Sequence, residues 1–144
     1  MANAFFENYR NLLGGGGTHA LPDLSTGGNN IKFHLLDTAD HTVSLSADVD
    51  EADITNAAIV ATSANLSSQT FGTVSVGTFD HADETLGTVT GDASEEIVYW
   101  YDTTTDTTSP LICRFDTFAS GMPVTPNGGN IDVQISTSGV FTLN

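Results

Sequence analysis

The chain has 144 residues, a length that suits one domain or one domain with an arm. Its three basic side chains stand against eighteen acidic ones, for a formal net charge of -15. That balance excludes nucleic acid, which needs clustered Lys or Arg, and anionic membrane surfaces as partners. No apolar run approaches the roughly 18 residues of a membrane helix. No basic region followed by an apolar stretch opens the chain, so no secretory signal is expected.

Residues 3–13 read as a short amphipathic helix. Phe5, Tyr9 and Leu12 or Leu13 fall on one stripe, with Phe6, Arg10 and Leu13 beside it. Asn3 is placed as the N-cap, and Glu7 and Arg10 stand three apart in favourable order. So short a helix is not stable alone, so it must pack on its own sheet or on another subunit. Gly14–Gly17 end it and form a hinge; no strand precedes the run and no Lys-Ser or Lys-Thr follows, so it is not a phosphate loop. Gly27-Gly28-Asn29-Asn30 is a second turn signal. The division expected is a helical, glycine-hinged arm over 1–30 and a β domain over 31–144, so that removing 1–13 would leave a folded body that assembles poorly.

Alternation predicts a first strand over 31–36, a turn over 37–41, and a short strand or extended edge through Val43, Leu45 and Ala47. An acidic patch follows at 48–53. Residues 54–64 have both helical and strand character. Phe71–Phe79 reads as strand with Val74 and Val76 on one face; 80–84 turns the chain and 86–90 returns it. Ile97-Val-Tyr-Trp-Tyr101 is the strongest strand signal, bulky on both faces and therefore central. A polar connection, 102–109, leads to a strand over 110–115 that makes a long-looped hairpin with it. A turn-rich crossing at 121–129 precedes a strand over 131–135, a turn at 136–139, and a closing strand with Phe141 and Leu143. The fold expected is mainly β: a sandwich or small barrel of about six to eight short antiparallel strands with an N-terminal helical arm.

Chemistry is sparse in the sequence. His19, His34, His41 and His81 share no metal-ligand spacing. His41 and His81 sit in turns beside acids, where solvated positions are expected, and His34 is expected on the outward side of the first strand. Cys113 alternates with Leu111 and Phe115, as a buried, inert thiol does. No serine lies in a Gly-x-Ser-x-Gly elbow. The chain is not expected to be an enzyme, and no cofactor is expected. Asp48, Asp50, Glu51 and Asp53 alternate oxygens as a calcium loop does, but the glycine and glutamate that complete the pattern are missing. A solvated acidic turn is the first reading; a divalent cation such as calcium on Asp48, Asp50 and Asp53 is the weaker one. Asp80, Asp83 and Glu84 form a second such group.

Tyr99, Trp100 and Tyr101 are consecutive and cannot share a face, so each side of their strand must be covered by core or by a partner. The candidates for a subunit contact are Phe5, Phe6, Tyr9 and Arg10 on the helix, and Lys32, Trp100 and Arg114 on the strands. The three bases fall on these elements and not in the acidic loops, placed to pair with acids across a contact.

The start Met-Ala-Asn-Ala, the strand Asn-Ile-Lys-Phe-His-Leu-Leu, the segments Ile-Val-Tyr-Trp-Tyr-Asp and Ser-Pro-Leu-Ile-Cys-Arg-Phe-Asp, and above all Pro-Val-Thr-Pro-Asn-Gly-Gly-Asn-Ile-Asp-Val-Gln-Ile followed by Gly-Val-Phe-Thr-Leu resemble a family of small virion proteins of tailed bacteriophages. The resemblance covers roughly residues 1–36 and 95–144. It implies a β-rich structural subunit made in the host cytoplasm and assembled in many copies on the particle. The place implied is the outer surface of the head, as a decoration or cement protein. The partners implied are the major capsid protein and other copies of itself, a trimer being the expected state. No catalytic residue comes with the resemblance. Gly14–Gly17, and Cys113 and Arg114, depart from the family pattern. A neck, connector or tail subunit is the alternative, and a receptor- or carbohydrate-binding module with exposed Trp100 a further one.

Overall fold

The computed structural model describes residues 3–25 and 30–143. Ten short strands occur among them: β1 (Ala4–Phe5), β2 (Ile31–Leu36), β3 (Ile59–Thr62), β4 (Thr70–Phe71), β5 (Thr78–Asp80), β6 (Glu84–Leu86), β7 (Glu96–Tyr101), β8 (Leu111–Phe115), β9 (Ile131–Val133) and β10 (Phe141–Thr142). One α-helix, α1 (Glu7–Leu13), follows β1. The turn expected at 27–30 lies, except for Asn30, outside the described residues.

The strongest apolar runs make the centre of the main sheet, whose order is β1-β8-β7-β2-β3. β7 is central, as its bulk on both faces predicts, and pairs antiparallel with β2 along its whole length and with β8 on the other side. Alternation then sorts the side chains. Ile31, Phe33, Leu35, Ile97 and Tyr99 share one face, with Cys113 and Phe115 opposite Tyr99 and Ile97 on β8. Lys32, His34, Glu96, Val98, Trp100 and Arg114 share the other. The first face is apolar and holds most of the core; the second is mixed, and four of the six residues just named on it are ionisable.

The expectation of a sandwich or small barrel is corrected. Beside the main sheet stand a three-stranded sheet, β10-β5-β4, and a two-stranded one, β6-β9, and none of them closes. The physical reason is length: strands of two or three residues, separated by turns, cannot extend a ladder far enough to wrap a core.

Other expectations shift locally. The helix starts at Glu7 because Ala4 and Phe5 are extended and pair with Arg114 and Cys113 of β8. Asn3 therefore caps no helix. Its amide instead accepts from the backbone N–H groups of Asp116 and Thr117, both at 3.1 Å, and donates to the Thr117 carbonyl. Phe6 and Tyr9 are fully buried in the cluster that also contains Leu24, Phe33, Tyr99 and Ile112. Residues 43–47 form turns and not a strand. The ambiguous stretch 54–64 resolves into a 3-10 turn at Asn56–Ala58 followed by β3. Residues 72–77 are a hairpin tip, since Gly72 and Gly77 adopt positive φ and turn the chain between β4 and β5.

Candidate functional site

The ionisable face of the main sheet is covered by the acidic segment, and the two meet through specific pairs. Arg114, 1% exposed, donates from Nη1 to the Val43 carbonyl at 2.8 Å and from Nη2 to Asp116 at 2.5 Å. The same Nη2 lies 3.4 Å from Glu96 Oε1. His34 is buried too, contrary to the outward position expected, because the segment around Glu51 lies over it. Its Nε2 is 3.2 Å from Glu51 Oε1 and its Nδ1 is 2.8 Å from the Thr62 hydroxyl. Its ring stacks on Trp100 at 5.0 Å between centroids. Lys32 ion-pairs with Asp102 at 2.7 Å and holds its ammonium 5.5 Å from the centroid of Trp100.

The residues singled out for a subunit contact are thus mostly buried within the chain itself. Phe6, Tyr9, Trp100 and Arg114 are buried. Phe5 is half-buried and packs edge-on against Phe141. Lys32 is committed to Asp102. Arg10 is exposed and reaches its own helix at Glu7, 3.8 Å away. The bases do pair with acids, but within the chain.

Two carboxylates on one guanidinium set the local electrostatics. Burial pushes the Glu96 carboxyl up, and Asp116 and Glu95 add to this, while Arg114 opposes it. Desolvation also pushes Asp116 up, but hydrogen bonds from Arg114 and Thr117 outweigh it and hold that carboxyl below its usual range. A folded-state value raised above the unfolded one means that stability from Glu96 is fully present below its unfolded value and is lost as the pH rises through the folded one. At neutral pH Glu96 is therefore a cost, and Arg114 keeps Asp116 if Glu96 is neutralised. Glu96→Gln is expected to raise the melting temperature by a few degrees at pH 7, with the gain vanishing near the ordinary carboxylate range; a lower melting temperature at pH 7 would refute this.

The acidic segment closes on itself. Asp48 accepts from the Ser44 N–H at 2.7 Å and lies 3.2 Å from His41 Nε2. Asp53 accepts from the N–H groups of Val49 and Asp50. Asp50 faces His19 at 3.4 Å, and burial together with Asp53 pushes its carboxyl up. Asp48, Asp50 and Asp53 are not drawn into one ligand set. The acids that do converge among the described residues are Asp37, Asp40 and Asp92, whose oxygens lie within 4.8 Å of one another and could hold a divalent cation. The sequence hides this group because Asp92 comes from a separate loop.

The opposite, apolar face of the sheet is only partly covered. β9, the loop through Met122 and the stretch before β10 lie across it and leave a cleft of about 520 Å³. Leu35, Ile97, Phe115, Met122, Ile131 and Val140 give it an apolar wall, and Asp132 is its one charged lining residue among those described. At its inner wall the Tyr99 hydroxyl is 3.0 Å from His81 Nε2, and His81 Nδ1 donates to the Ala82 carbonyl at 2.6 Å. His81 is buried and not solvated, and desolvation holds it below the usual histidine range, so its Nε2 accepts from Tyr99.

Next to the cleft stands the sheet of β4, β5 and β10. No charged side chain occurs between Asp53 and Asp80, and only Asp132 occurs after Asp116. Charge on this side is confined to Asp80 at the end of β5, to Asp83 and Glu84 beside β9, and to Asp132, and no base stands among them. Its hairpin tip presents Val74, 41% exposed, and Val76, 93% exposed. The expected strand hid this: Val74 and Val76 do alternate, but in a turn that faces water.

Comparison with protein-family models and with curated proteins gives no match to this chain. What stands is the arrangement itself: a mainly β chain with its bases paired to its own acids, an acidic rim, and a side that carries an uncharged apolar tip and a largely apolar cleft.

Proposed function

We propose that this chain is a structural subunit of a bacteriophage virion, a decoration protein that binds the outer surface of the capsid lattice in many copies and stabilises the shell. The observation that carries the reading is the uncharged hairpin tip with Val76 93% exposed. An acidic body repels its neighbours, so close packing in an assembly needs contacts that do not rely on net charge. The uncharged tip and the largely apolar cleft supply such a surface, and the resemblance of residues 1–36 and 95–144 to virion proteins points to the particle as its setting. Each copy would span neighbouring capsid subunits and oppose their separation. Asp37, Asp40 and Asp92 could take a calcium ion through oxygen ligands and so offset part of the rim charge. The test is an image of the intact particle at high resolution. Copies spread over the head are the expected result; a single ring at one vertex would assign the chain to the neck or tail, and absence from the particle would sink the reading.

A further inference from the structure

We propose that copies of this chain dock head to tail, with the Val74–Val76 tip of one copy seated in the apolar cleft of the next. This names a partner for the assembly reading above, and rests on it only in supposing that copies meet. The tip is built to be inserted. Gly72 and Gly77 take φ of 79° and 75°. The Thr78 N–H donates to the Ser75 carbonyl at 3.0 Å, and the Ser75 and Thr78 hydroxyls bond at 2.5 Å. Little ordering entropy remains to be lost when the tip is buried.

The cleft matches in size and character. Its 520 Å³ lies within the range of pockets that enclose a small ligand, and its walls are aliphatic and aromatic apart from polar residues such as Asn130, Asp132 and Gln134. The occupant is another copy for two reasons. First, the tip carries no charge and the cleft lining only Asp132, with Asp83 beside it at the Ile135 N–H, so on a chain of -15 this contact sets few charges of two copies against each other. Second, the tip cannot fill its own cleft. The Leu143 N–H bonds to the Gly77 carbonyl and the Val140 N–H to the Phe79 carbonyl, so β10 runs beside β5 with Gly139 and Val140 at the cleft and Leu143 toward the tip. The tip leads away from the cleft of its own chain. Tip and cleft are different surfaces, so the contact is heterologous, and each docked copy leaves one tip and one cleft open.

The test uses the purified full chain in sedimentation velocity at rising concentration and salt. Wild type is expected to associate, and more strongly with salt, because screening weakens the repulsion between bodies and leaves the apolar contact intact. Val76→Glu changes only an exposed tip and Ser120→Trp fills the cleft from its exposed rim, so both should keep the wild-type circular dichroism and melting temperature. Each alone is expected to weaken association by about tenfold or more. Mixed in equal amounts, the intact tip of Ser120→Trp meets the intact cleft of Val76→Glu, and the mixture is expected to form a dimer and stop there. If Ser120→Trp alters the fold, Gln134→Glu, at another exposed position on the lining, takes its place. A wild type that stays monomeric throughout, a Val76→Glu variant that associates as wild type does, or a mixture that stays monomeric would each overturn the proposal. None of these bears on the particle image, which decides the virion reading separately.

Discussion

Arg114→Met is expected to cost about 3–5 kcal/mol of stability, the range for breaking a buried ion pair by removing one partner. Methionine fills much of the volume but leaves Glu96 and Asp116 facing each other without the guanidinium, and leaves the Val43 carbonyl without its donor. Two carboxylates near each other inside a protein raise one another's proton affinity, so the damage should shrink at acid pH. A typical domain has about 5–15 kcal/mol in total, so the variant would be marginal at neutral pH. Urea unfolding at pH 7 measures this directly. The double variant Arg114→Met/Glu96→Gln is expected to recover part of the loss, since one buried charge is gone. An unchanged midpoint in the single variant would show that the network contributes nothing.

Removal of residues 1–13 is expected to unfold the chain. The hinged-arm reading predicts a folded body that has lost only its assembly contacts. Burial changes that expectation. Phe6 and Tyr9 have no exposed surface, and truncating one buried aromatic costs about 3–5 kcal/mol. Losing both, together with the β1 pairing on β8, takes most or all of the about 5–15 kcal/mol that a typical domain holds. Proton NMR dispersion and far-ultraviolet circular dichroism report the outcome; a dispersed spectrum with the wild-type melting temperature would restore the arm as a separate piece. Tyr9→Phe isolates the packing. The Tyr9 hydroxyl is buried without a partner, and burial pushes it well above its usual range, so removing it should leave stability unchanged or slightly raised.

The parts of the fold legible in the sequence are those governed by short periods. β2, β7 and β8 fall within a residue of the segments read from alternation and bulk, because β7 carries five bulky apolar residues in a row and β2 and β8 keep an apolar residue at every second position. What was hidden follows from coverage and backbone sign. Alternation places His34 and Arg114 opposite the apolar face but cannot tell whether water or protein lies there. The irregular segment from Asp37 to Ala58 covers them, and it has no period to read. Val74 and Val76 keep strand spacing, yet the glycines on either side adopt positive φ and make them a tip. The Asp37–Asp40–Asp92 group joins residues far apart in sequence, and no local spacing announces it.

The pairing of Ala4 and Phe5 with Cys113 and Arg114 also fixes an order in time. During synthesis at about 5–20 residues per second, β1 waits roughly 5–20 s for the strand it completes. Through that interval Phe6 and Tyr9 have no core to enter, and β2 has neither of its neighbours until Ile59 and then Glu96 emerge. The half-made chain exposes Phe5, Phe6 and Tyr9 first and buries them last. Its heavy burden of acid, arriving in the segment from Asp37 to Asp53, is then what keeps nascent chains from one another while the sheet is still open.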